Sequence, residues 1–302
     1  MGLWAKQKSG WPRLAALLLT TSLAACGDSG PQKVAGSSGS SSSGGPNHGS
    51  GPNPAGFCRG FNADRNPYFG DLHVHTKYSL DASTQGTSLS PHDAYRFALG
   101  ERVGIQPHDA NGMPLRFTQL ARPLDFAAVT DHAEFFGETE ICTNPIYLEY
   151  NSPECQFYRR DPDNAFIVFN AQLSGVGTPT ADGGKTVNRF AYCGPGGATC
   201  LAAARTPWQD VQAAAESFYD RSPDCRFTSF VAYEWTGSPA SNSLHRNVVF
   251  KTEKVPMLPI SFFDAAAPQF LWKGLAEQCK TADGCDYLTI AHNSNLAGGT
   301  YF

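Results

Sequence analysis

The sequence predicts an α/β fold built from parallel strand–helix units, and three observations carry that expectation. From about residue 57 onward, apolar runs of strand length alternate with amphipathic helical patterns. Several of those runs end on a histidine or a glutamate: Asp71-Leu72-His73-Val74-His75, Thr130-Asp131-His132, Tyr233-Glu234 and Ala291-His292. A hydrophobic share of 41% and an aromatic share of 12% over 302 residues are enough for one large core.

The globular pattern does not begin at Met1. Lys6, Lys8 and Arg13 precede a short apolar stretch, Leu14 to Leu23, and then Leu23-Ala24-Ala25-Cys26. The stretch falls short of the roughly 20 apolar residues a membrane span needs. Residues 1–25 therefore read as an export signal, and the small residues before Cys26 resemble a bacterial lipobox, with Cys26 as the lipidated residue. The rival is an ordinary secretory signal with a coincidental cysteine. Gly27 after the cysteine, by resemblance to known sorting rules, favours the outer membrane. Residues 26–56 are mostly Gly, Ser, Pro and Asn, a composition that buries too little apolar surface to order itself, so they read as a tether in which His48 is inert.

The domain over 57–302 follows in order. Tyr68 to His75 reads as a strand. Ser90 caps a helix with Pro91 in its first turn and Gly100 at its end. Residues 106–109, with His108, read as a loop. Asp125 to Thr130 is a buried strand. Thr206-Pro207-Trp208-Gln209 reads as a capping box, and Trp208, Val211, Ala215 and Phe218 then share one helical face. Arg226 to Tyr233 and His245 to Phe250 are strands, Pro268 to Cys279 a helix, and Asp286 to Ala291 another buried strand. Residues 133–205 fit the alternation poorly and read as an insertion rich in cysteine, Gly, Asn and Pro.

Nine cysteines less Cys26 leave eight, an even number suited to disulfides in an exported chain. Nearness in sequence suggests Cys142 with Cys155, Cys193 with Cys200, and Cys279 with Cys285, leaving Cys58 with Cys225. Eight cysteines allow 105 pairings, so nearness is the whole argument. A structural zinc site is the rival, but no Cys-x-x-Cys occurs.

Chemistry gathers at the strand ends. In αβ barrels functional groups collect at the C-terminal ends of strands, so the four endings above would converge on one rim. Alternation along a strand puts His73 and His75 on one face, about 6.5–7 Å apart. A lone His-x-His is a weak signal; histidine or glutamate after several separate strands is a strong one. Imidazole mixed with carboxylate suits hard and borderline divalent metals.

Here the sequence resembles a known superfamily. Gly70-Asp71-Leu72-His73-Val74-His75-Thr76-Lys77-Tyr78-Ser79-Leu80-Asp81 resembles the opening motif of the PHP (polymerase and histidinol phosphatase) superfamily, and Ala128-Val129-Thr130-Asp131-His132 its second. Ala232-Tyr233-Glu234-Trp235-Thr236-Gly237, Leu244-His245-Arg246-Asn247 and Ala291-His292-Asn293-Ser294-Asn295 are similar to domain-of-unknown-function family 3604 within it. The resemblance runs from about Phe69 to the C-terminus. It implies a distorted (β/α)7 barrel, here incomplete at its C-terminal end and carrying a disulfide-rich insertion over about 133–205. It implies two or three divalent ions of zinc, manganese or iron, held by His73, His75, Asp81, His132, Glu234, His245 and His292, with Glu234 bridging. Asp131 would orient ligands or accept a proton, so Asp131 and Glu234 are the catalytic candidates. The superfamily's late Asp-x-His has no counterpart before Phe302, and the expectation is of a fragment of a longer protein.

Other polar residues weigh less. Asp71 reads as support for His73. Lys77 and Arg246 are candidates to receive an anionic substrate, and Asn293 and Asn295 to line the pocket. His92 reads as solvated, and Ser79 has no visible base partner for a nucleophilic role. The net charge of −4 gives no basic footprint for nucleic acid. The function expected is metal-dependent hydrolysis of a small-molecule ester, most readily a phosphate ester, by metal-activated water. Contact with a membrane would be through Cys26 alone. The alternative is a tethered binding or structural lipoprotein with a degenerate site.

Overall fold

The computed structural model describes residues 58–62, 64–174, 178–179, 185–186, 188–237, 242–292 and 297. The leader, the tether with Cys26 and His48, and the pocket candidates Asn293 and Asn295 lie outside the described residues. All described residues belong to one unit spanning Gly51–Phe302. No helix among them is long and apolar enough to cross a membrane.

Among the described residues, ten strands and eight α-helices follow in chain order. They are β1 (Gly70–Val74), α1 (Leu80–Thr84), α2 (Pro91–Ala98), β2 (Val103–His108), β3 (Pro114–Thr118) and β4 (Phe126–Val129), then α3 (Phe136–Thr143), α4 (Pro153–Arg160) and α5 (Pro162–Ser174). A short ribbon of β5 (Thr178–Pro179) and β6 (Lys185–Thr186) leads to α6 (Ala198–Ala203) and α7 (Arg205–Phe218). The chain ends with β7 (Thr228–Phe230), β8 (Ala232–Gly237), β9 (Leu244–Phe250), α8 (Pro268–Gln278) and β10 (Tyr287–Ala291).

The fold is mixed α/β. β1, β4 and β7 form a parallel sheet in that order, as strands joined through helices do. The expectation of parallel units throughout is corrected by the second sheet: β10, β9 and β8 run antiparallel. Only residues 238–243 separate β8 from β9, which leaves no room for a crossover helix. Among the described residues the strands close no barrel.

The two sheets share one bent strand. Arg226 to Tyr233, expected as a single strand, breaks at Val231 into β7 and β8. β7 pairs with β4, while β8 pairs with β9 and keeps one parallel bridge from Glu234 to His132. Leu72, Ala128, Phe230, Ala232, Val249 and Ile290 form one small apolar cluster between the sheets. The opposite faces feed the larger core, where Tyr95, Trp208, Tyr233, Trp235 and Phe250 are fully buried among the helices.

Smaller corrections have local causes. Thr206 is not a cap, because α7 already begins at Arg205, directly after α6, and Ala204 holds the cap position with helical angles. His108 ends β2 instead of lying in a loop, since the hairpin with β3 continues to Pro114. β10 is only half buried, with Leu288 exposed, because it lies at the edge of its sheet. The insertion is largely helical. Its helices α3 and α6 approach so closely that a Cβ on Gly137 would strike the Cys200 carbonyl. All four expected disulfides form: Cys58–Cys225, Cys142–Cys155, Cys193–Cys200 and Cys279–Cys285.

The helix expected after Ser90 forms with a full capping box. The Ser90 hydroxyl accepts from the Asp93 N–H at 3.3 Å, and Asp93 Oδ2 accepts from the Ser90 N–H at 3.0 Å. Ser90→Ala is expected to lower stability by about 1 kcal/mol, a melting shift of about 2–4 °C for a domain this size. An unchanged melting curve would mean that tertiary packing alone sets the start of α2.

Candidate metal centre

Glu234 is the fixed point of the site. Its side chain is fully buried, 0% exposed, and its backbone N–H donates to the Asp131 carbonyl at 3.0 Å. Histidines approach both carboxylate oxygens. His73 Nε2 lies 3.2 Å and His75 Nε2 2.9 Å from Oε2. His245 Nδ1 lies 2.5 Å, His292 Nε2 3.2 Å and His132 Nδ1 3.7 Å from Oε1. Asp81 stands on the far side of His75, with Oδ2 2.9 Å from His75 Nδ1 and 3.8 Å from His132 Nε2. The structure thus brings all seven ligand candidates together.

The backbone explains the convergence. Pairing between β1 and β4 is irregular between Asp71 and Val74, the stretch that contains His73, and such irregularities re-aim side chains. Asp71 Oδ1 accepts from the His73 N–H at 2.9 Å, the supporting contact expected of it. Asp81 enters from the first turn of α1. In β8 and β9 the period of two puts Glu234, Thr236, His245 and Asn247 on one face, where Asn247 Nδ2 donates to the Leu72 carbonyl at 2.7 Å and ties β9 to β1.

Asp131 acts one step away. Its carboxylate accepts from the Thr76 N–H and, at 2.6 Å, from the Thr76 hydroxyl. It thereby holds the turn between His75 and Asp81.

Arg246 neighbours His245 in sequence, so strand alternation turns it to the other face of β9, where its guanidinium lies 5.4 Å from the Trp272 ring. Lys77 Nζ lies over the Tyr78 ring at 4.9 Å. His92 is near Asp210 on the surface, 3.6 Å away, and half-buried His108 pairs with Ser88 at 3.0 Å.

Sequence reasoning passed over Thr236 and Glu134 and gave Ser79 no role beyond excluding it as a nucleophile. The Thr236 hydroxyl lies 2.7 Å from His132 Nδ1, 3.1 Å from Glu234 Oε1 and 3.2 Å from His245 Nδ1. Ser79 donates to Asp81 Oδ1 at 2.6 Å and accepts from the His132 N–H at 3.1 Å; its proton serves a ligand candidate, so it is no free nucleophile. Buried Glu134 accepts at Oε1 from the Thr236 N–H at 2.9 Å and the Phe262 N–H at 3.0 Å. Position relative to Glu234 and His132 was the available signal for Thr236 and Glu134.

The electrostatics are those of a cation site. Burial opposes charge on Glu234, but His132 and the nearby His245, His292 and His73 outweigh it and hold the carboxyl well below its usual range. Burial also opposes charge on His75, yet Asp81 and Glu234 push it up to about 10. His132 is pushed down to about 4, chiefly by burial, and burial raises Asp131 to about 6. Two buried carboxylates here require positive charge, and a proton on His75 is one way to supply it.

The residues fit a divalent metal. Separations of 2.9–3.2 Å between His73, His75 or His292 and Glu234 suit two donors of one ion with bonds of about 2.0–2.2 Å. His245 Nε2 and both His292 nitrogens are buried without a hydrogen-bond partner; His292 Nε2 is near Glu234 but misdirected for a bond. Two groups can each hold an ion, His73–Glu234–His292 and His75–His132–Glu234, and Glu234 belongs to both. A third group, Glu138–Cys193–Cys200, is set aside because its cysteines form a disulfide. A cavity of about 440 Å³ adjoins His73 and His75, with Tyr95, Phe97, Leu120 and Leu124 among its walls.

Comparison with known proteins gives one match. The model of a family described as a protein of unknown function, DUF3604, covers residues 62–302. No curated protein and no solved structure matches the chain.

Proposed function

The chain belongs to the DUF3604 family, and from its site we propose that it is a metal-dependent hydrolase of small-molecule esters, phosphate esters first. One observation carries the reading: a fully buried carboxylate, Glu234, approached within 3.2 Å by four histidines from three different segments. So costly a cluster of buried donors is retained where a cation is to be held.

His73, Glu234 and His292 would hold one ion, and His75, His132 and Glu234 a second, with Asp81 beside His75. Such ions, when bound, supply an activated water and positive charge for the negative charge that develops at phosphorus. The chain's own residues do the rest. Glu234 fixes the spacing of the two ligand groups. Asp131, through Thr76, holds the turn that presents His75 and Asp81. Ser79 and Thr236 hold the orientation of Asp81 and His132. The cavity beside His73 and His75 is of ligand size and would take the organic part of the ester. No covalent enzyme intermediate is needed. The phosphate assignment, like placement in the PHP superfamily with its distorted barrel, rests on the motif resemblance.

Export as a lipoprotein anchored at Cys26 belongs to the same reading. Four disulfides support an oxidising compartment.

The test is elemental mass spectrometry of the purified chain beside a His73→Ala/His75→Ala variant, followed by a phosphoester screen. Two or three equivalents of zinc, manganese or iron in the parent and loss in the variant are expected. A parent that takes up no metal after reconstitution ends the hydrolase reading and leaves a tethered binding protein.

A further inference from the structure

We infer that Thr236 is a positioning residue whose hydroxyl ties His132 and His245 to Glu234 and leaves Nε2 of both imidazoles free to face a cation. The second half rests on the metal-centre reading above; the first half does not.

The argument is one of donors and acceptors. A threonine hydroxyl has one proton to give and two lone pairs to receive with. Three groups surround it: Glu234 Oε1 at 3.1 Å, His132 Nδ1 at 2.7 Å and His245 Nδ1 at 3.2 Å. An ionised carboxylate only accepts, so the hydroxyl proton goes to Glu234. Both imidazoles must then donate from Nδ1, and the two lone pairs of Oγ1 receive them. His245 shares its proton with Glu234 Oε1, 2.5 Å away. This is the one arrangement that satisfies all three neighbours, and in a neutral imidazole it leaves Nε2 bare. His245 Nε2 is indeed buried with no hydrogen-bond partner.

The hydroxyl is itself held in place. Thr236 is buried, 6% exposed, and lies two residues beyond Glu234 on the same face of β8. Its backbone N–H is bonded to Glu134, whose Oε1 also takes the Phe262 N–H. Buried Glu134 thus anchors the strand at the point where the hydroxyl must stand. A ring whose second nitrogen is bonded in this way is pre-oriented as a ligand.

Thr236→Val keeps the side-chain shape and deletes the hydroxyl; Thr236→Ser restores it. Two readouts are taken on the full chain. In metal-free protein, side-chain ¹⁵N spectra report which ring nitrogen of His132 and His245 carries the proton. Nδ1–H on both rings is expected in the parent and in Thr236→Ser, with a changed pattern in Thr236→Val and little change in melting temperature. Competition of Zn²⁺ against a chelating indicator is expected to show about 10–100-fold weaker binding in Thr236→Val and near-parent binding in Thr236→Ser. Unchanged ¹⁵N patterns in Thr236→Val, or failure of serine to rescue, overturns the positioning role. A parent that binds no Zn²⁺ sinks the metal centre instead, and the ¹⁵N result alone then decides for or against Thr236. If the valine variant does not fold, Thr236→Ala serves in its place for both readouts.

Discussion

Glu234→Gln is expected to weaken divalent-metal binding about a thousandfold, and to take phosphoester hydrolysis with it. The substitution preserves shape and removes charge. In the parent, burial works against the ionised carboxyl and five surrounding histidines overcome it. Removing one partner of a buried charge pair costs about 3–5 kcal/mol, and about 1.4 kcal/mol is a factor of ten in affinity. The loss should exceed that of any single-histidine variant, because Glu234 belongs to both ligand groups and each histidine to one at most. Chelator competition with Zn²⁺ or Mn²⁺ measures it. A Gln variant that retains the parent's metal content would show that the histidines hold the ions without the bridge, and Glu234 would lose its central place.

Opening the Cys58–Cys225 disulfide is expected to lower stability by about 5 kcal/mol, the chain-entropy value for a loop this long. The two cysteines stand 167 residues apart in sequence. Beside Cys58, Arg59 donates to the Pro223 carbonyl at 2.8 Å and meets Asp224 at 3.2 Å in an exposed pair, while Phe61 and Tyr68 are exposed. Surface pairs of that kind contribute little. The stabilisation therefore acts by restricting the unfolded chain. Cys279–Cys285 spans 6 residues and by the same reasoning contributes about 2 kcal/mol. Thermal unfolding of Cys58→Ser/Cys225→Ser beside Cys279→Ser/Cys285→Ser checks both, with melting shifts of about 2–4 °C per kcal/mol. Equal shifts would assign the effect to native packing around each bridge.

The candidate ligand set was legible because its members stand where strands end, and a strand end is visible as the close of an apolar run. His73, His75, His132, Glu234 and His292 all carry that mark. Thr236 carries none: a threonine in a strand is ordinary, and only its place two residues beyond Glu234 gives it meaning. Arg246 stands apart from the cluster, since a neighbour in sequence is an opposite face on a strand. The parallel units of β1, β4 and β7 could be read from the helices between them. The antiparallel half needed the brevity of residues 238–243 to be weighed against the apolar pattern. Thr206 shows a capping signature overridden by tertiary structure, because α6 runs almost directly into α7. The disulfides followed nearness in sequence, which left the long-range pair as the remainder.

The bend at Val231 has a consequence for how the molecule holds together. Glu234 lies just beyond the point where one strand leaves the parallel sheet for the antiparallel one, and its partners come from both: His73 and His132 from the first, His245 and His292 from the second. A cation seated among them would act as a rivet through a folded corner. Its loss would loosen the angle between the two leaves before it unravelled either, so chelation would be felt first as a hinge and only later as melting.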